Sequence, residues 1–69
     1  MRVRKIGTWR EEGPQGNHDS GMTVEALDAP RGTPRYAQVS YMFIADIRAL
    51  ARGETIDFPI EPRDLQSRV

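Results

Sequence analysis

Sixty-nine residues, ten basic and ten acidic side chains, one histidine and no cysteine make a chain of formal net charge zero. Such a length supports one small domain with a thin core. The missing thiols exclude disulfides, thiolate catalysis and cysteine-ligated zinc, and a lone imidazole excludes a multi-histidine metal site.

The chain opens on "RVRKIGTW", residues 2–9, whose β-branched and aromatic content suits a strand. Met1, Val3 and Trp9 share one parity and Ile6 has the other, and Gly7 is placed to host a bulge that corrects the register. Residues 11–21, "EEGPQGNHDSG", are rich in glycine and turn formers and read as a loop. "MTVEALDA" then alternates Met22, Val24 and Ala26 against Thr23, Glu25 and Leu27, the pattern of a strand with one apolar face. "PRGTPR" breaks it with two prolines and a glycine.

Residues 34–52 read as a helix. Thr33 is a suitable N-cap, Pro34 fits the first helical position, and Gly53 suits the position after the last turn. Tyr36, Val39, Phe43, Ile47 and Leu50 fall within one arc of about 100°. A competing reading makes "YAQVSYMFI" a strand paired with "MTVEALDA", followed by a short helix from Ala45, because residues 36–44 are rich in strand-forming side chains. "ETIDFPI" alternates Ile56, Phe58 and Ile60 with polar neighbours and forms a last strand, with Pro59 placing it at an edge. The predicted fold is therefore α+β: a single β-β-α-β domain over 1–60, an antiparallel sheet with one helix packed on a face, and a polar, frayed C-terminal tail over 61–69.

Candidate chemistry is sparse. His18, Asp19 and Ser20 are consecutive in a glycine-rich segment, which does not make a triad. Glu11 and Glu12 point apart on an extended chain. "PRGTPR" ahead of a helix, flanked by Arg31 and Arg35, has the outline of an anion site but lacks the lysine and spacing of a phosphate loop. No catalysis, cofactor or metal is expected.

Charge is segregated along the chain. Residues 1–10 carry Arg2, Arg4, Lys5 and Arg10 without an acid, and residues 11–30 carry Glu11, Glu12, Asp19, Glu25 and Asp28 without a base. Two arrangements account for this: neighbouring segments that compensate one another, or a bipolar surface that orients a partner. On the helix, Tyr41, Ile44 and Arg48 lie on one shoulder of the apolar stripe, and with Arg52 they form the candidate partner-binding face, since Tyr and Arg are enriched in interfaces. The partner is another protein or a second copy of the chain. The alternative is nucleic acid bound by Arg2, Arg4 and Lys5 of the first strand, which neutral charge and the parity of Trp9 disfavour. No apolar run reaches signal-peptide or membrane-span length, so a cytoplasmic location and no membrane partner are expected. Very small, cysteine-free α+β proteins include many bacterial and phage regulators and inhibitors, and by that analogy of size the expectation is a small regulator acting by occlusion or as a subunit.

Overall fold

The computed structural model describes residues 1–43 and 50–67. Four strands form one antiparallel sheet: β1 (Arg2–Glu12), β2 (His18–Ala26), β3 (Tyr36–Ser40) and β4 (Thr55–Asp57), in the order β3-β2-β1-β4. Short 3-10 turns occupy Tyr41–Phe43 and Pro62–Asp64.

The expected helix over 34–52 is overturned by a strand over its first part, and among the described residues the fold is a small antiparallel sheet rather than α+β. Residues 36–40 are β3, paired with β2 through Tyr36–Glu25, Ala37–Val24, Gln38–Thr23, Val39–Met22 and Ser40–Gly21. Of the competing reading, the strand is present over 36–40; the short helix from Ala45 lies outside the described residues, as does Ile47 of the apolar stripe. The physical reason is a competition for backbone partners. β2 places Met22, Val24 and Ala26 on the buried face, and a strand buried this deeply needs a neighbour on each edge to satisfy its N–H and C=O groups. Residues 36–40 supply one, with Ala37 buried and Gln38 exposed in strand alternation. Tyr36 and Val39, two members of the helical arc, then fall on opposite faces.

The signals that suggested a helix start serve a turn. The amide and hydroxyl of Thr33 both donate to the carbonyl of Pro30, and Gly32 takes φ 85°, a left-handed conformation that glycine adopts without a Cβ penalty. Ala51–Glu54 repeats the device, with Glu54 N–H donating to Ala51 O and Gly53 at φ 94°. The segment 11–21 is also shorter as a loop than expected: both strands continue into it, and only Gly13–Asn17 turns, closed by Gly13 N–H to Asn17 O at 2.6 Å.

The predicted bulge is present. Partners run Arg4–Glu25 and Lys5–Val24, then Gly7–Thr23 and Thr8–Met22, so Ile6 is the extra residue. The core gathers on one face from Val3, Met22, Val24 and Ala37, with Val39, Tyr41, Leu50, Ile56, Phe58 and Ile60 packed around them. Trp9 and Ile6 are half-buried and outside this cluster. The C-terminal segment is held against the sheet: Arg35 and Tyr36 both donate backbone hydrogen bonds to Gln66 O, Gln66 N–H returns one to Tyr36 O, and Leu65 packs against the core. Frayed polar chain is therefore not what residues 62–66 form.

Candidate functional site

Side chains directly across an antiparallel pair share a face. Val3, Lys5, Met22, Val24, Ala37 and Val39 thus define the core face, and Arg2, Arg4, Glu25, Tyr36, Thr23 and Gln38 the opposite, open face. The bulge decides where Trp9 belongs. Without an extra residue at Ile6 it would join Val3 and Lys5; with it, Trp9 pairs with Gly21 on the open side, together with Arg2 and Arg4.

Trp9 lies across the sheet rather than away from it. Its indole Nε1–H donates to the Met22 carbonyl at 3.2 Å. Gly21 makes room for this: a β-carbon there would land on the Val39 carbonyl oxygen and against the Trp9 ring. Beside the ring runs an open groove of about 360 Å³ lined by Arg10, Glu11, Gln38, Ser40 and Gln66.

The arginines of this face are matched by acids. Arg2 Nε lies 3.3 Å from Asp57 Oδ1, Arg4 Nη1 3.8 Å from Glu25 Oε1, and Arg35 Nε 3.2 Å from Glu25 Oε2. The buried Arg35 Nε is off the line of a hydrogen bond to that carboxylate, so the contact is electrostatic, while Nη2 donates to Ala26 O at 3.4 Å. Lys5, expected on the basic surface, instead turns to the core face. It is 9% exposed and its Nζ donates to the Leu50 carbonyl at 2.7 Å, apart from Arg2 and Arg4 on the open face.

The hairpin tip is different in character. Glu11 stands directly opposite Asp19, and Glu12 opposite His18, which is exposed. Asp19 Oδ1 accepts from Ser20 N–H at 2.9 Å and from Ser40 Oγ at 2.7 Å, and Ser40 Oγ accepts from Met42 N–H, so β2 fixes the turn after β3. With Asp19 so engaged, and His18 and Ser20 on neighbouring strand positions, the three do not form a triad. An open concavity of about 640 Å³ lies here, walled by Glu11, Glu12, Asp19, Gly16, Asn17 and Met42. Met42 is 73% exposed, the one large hydrophobic side chain so exposed among the described residues. Among these residues no group of three His, Asp or Glu side chains is arranged to hold a metal.

Of the expected partner-binding residues, Tyr41 is half-buried and packs against the core, Arg52 is exposed on the Ala51–Glu54 turn, and Ile44 and Arg48 lie outside the described residues. "PRGTPR" leads into a strand, not a helix N-terminus, so it offers no helix-end anion site. Sequence reasoning missed the grouping of Trp9, Tyr36 and Arg35 with Arg2 and Arg4. The signal was available in Gly7: a bulge placed there flips the parity of every later residue in β1. No described helix is long and apolar enough to cross a membrane. No family model, curated protein or solved structure matches this chain.

Proposed function

We propose that this chain is a non-enzymatic protein-binding module, a small cytoplasmic regulator or subunit that acts by occupying a partner's surface. The observation that carries the reading is the open sheet face, on which the bulge at Ile6 gathers Trp9 and Tyr36 with Arg2, Arg4 and Arg35. Trp, Tyr and Arg are the side chains that dominate binding energy at protein interfaces. Each arginine already faces a carboxylate, which suits a neutral protein surface better than a phosphate backbone. The elongated shape agrees: the radius of gyration is 12.3 Å, against about 11 Å for a compact domain of this length.

The test is affinity capture from the source cell with the parent chain and with Gln38→Arg, which adds bulk and charge at an exposed position in the centre of the open face. Loss of a captured protein in Gln38→Arg, with the melting temperature unchanged, supports the reading. An identical captured set from both chains overturns it. Nucleic-acid binding is the second reading, favoured by the placement of Trp9 on the same side as Arg2 and Arg4. Its signature would be retention of a single-stranded oligonucleotide that falls steeply with salt, as counterion release requires.

A further inference from the structure

The outer edge of β1 narrows the choice of partner. β4 covers only its start: Arg2, Val3 and Arg4 pair with Asp57, Ile56 and Thr55, and Lys5 exchanges backbone hydrogen bonds with Glu54 and Gly53. From Thr8 to Glu12 no described residue pairs on that side. Lys5 directs its N–H and C=O outward, and the extra residue at Ile6 shifts the alternation, so Thr8, Arg10 and Glu12 present theirs outward beyond it. Such a row is a template for another strand.

The two ends of this open edge carry opposite charge. The near end adjoins the Ala51–Glu54 turn with exposed Arg52, and Arg4 lies just before the bulge. The far end carries Glu11 and Glu12. There Glu11 is set against Asp19 within the chain, a like-charge opposition that costs stability until a cation approaches. A strand edge with a basic start and an acidic finish is complementary to itself when turned end for end.

We propose that a second copy of this chain pairs antiparallel along the outer edge of β1, across a two-fold axis at Trp9. This rests on the protein-binding reading above and names a partner for the edge of the sheet, beside its open face. With Thr8 across from Arg10 of the second copy, Gly7 faces its Glu11 and Ile6 faces its Glu12, so no like charges stand directly opposite. Its acidic tip then reaches Arg52 and Arg4. Sliding the strands towards the tip by two residues brings Arg10 against Arg10, and by four brings Glu11 against Glu11; sliding them the other way drives the second copy into Lys5, whose edge Glu54 and Gly53 already occupy. Each Trp9 ring is held over its own β2 by the Met22 carbonyl, which keeps the axis clear. The charges of this edge and the covered start of β1 together select one register.

The test is solution mass by light scattering from micromolar to millimolar protein. The mass rises from 7.8 kDa towards twice that value. Arg10→Pro removes an outward N–H at a position where an edge strand tolerates proline, and moves the midpoint at least about tenfold higher in concentration while the circular dichroism of the sheet is kept. Glu11→Lys and Arg52→Glu each weaken association several-fold, and the double variant regains most of it, an outcome that a merely structural role for either residue would not produce. A monomer mass at every concentration overturns the proposal, as does a folded Arg10→Pro chain that dimerises as well as its parent. The open-face reading fails separately, by the Gln38→Arg capture, which leaves pairing along β1 untouched.

Discussion

β1 and β2 run as one ladder, yet its root and its tip live under different conditions. At the root, Val3, Val24 and Ala26 are fully buried, β3 and β4 pair on the two sides, and Arg4 meets Glu25. At the tip, residues 10–12 and His18 are exposed, and Glu11 meets Asp19. The backbone hydrogen bonding is of the same kind in both. A two-stranded ribbon is marginal in water, so the difference teaches that stability here comes from what covers the ribbon and not from the ladder itself.

Four substitutions sharpen or break that contrast. The largest effect is expected at Gly21, where the third strand meets the ribbon. Gly21→Ala drives a methyl group into the Val39 carbonyl and the Trp9 ring, so β3 and Trp9 must both move. Equilibrium denaturation should show a loss of about 4 kcal/mol or more, in the range of exceptional mutations. A mild effect would mean that β3 is held loosely, and the root would be no better fixed than the tip.

Met22→Ala comes next. Met22 is fully buried on the core face, and methionine-to-alanine changes in cores cost about 2–5 kcal/mol. The same measurement checks it, and a loss below about 1 kcal/mol would show that the site collapses easily.

Gly32→Ala acts on the turn that delivers β3. The methyl group has open space, but φ 85° is strained for alanine, so a loss of roughly 1–2 kcal/mol is expected in a thermal melt. The smallest effect belongs to the tip. Glu11→Thr removes the like-charge opposition to Asp19 and should raise monomer stability by about 0.2–1 kcal/mol at low salt, fading as salt is added. A loss of stability instead would mean that the tip already draws on a cation within the chain.

Much of the sheet was legible. The alternation of Met22, Val24 and Ala26 marked β2, Ile56 and Pro59 marked a short edge strand, and Gly7 marked the bulge. Residues 34–40 were misread because Thr33, Pro34 and a helical spacing make a coherent local signal. That signal is worth about 1 kcal/mol at a cap, less than the cost of leaving an edge of the buried β2 unpaired. The site was harder to see than the fold. Parity counted through the bulge groups Trp9 with Val3; counted across it, Trp9 joins Arg2 and Arg4.

Sequence by itself determined the local terms: the chain break at "PRGTPR", a left-handed glycine at Gly53, the period-two faces of β2 and β4, and the segregation of basic from acidic residues along β1. Each depends on neighbours a few residues apart. Only the tertiary structure decided that 36–40 is a strand, that Lys5 turns inward to the Leu50 carbonyl, and that Trp9 shares a face with Arg2 and Arg4. Those outcomes depend on which distant backbone groups need partners and on how one extra residue rotates a strand, and no single stretch of the chain carries that information.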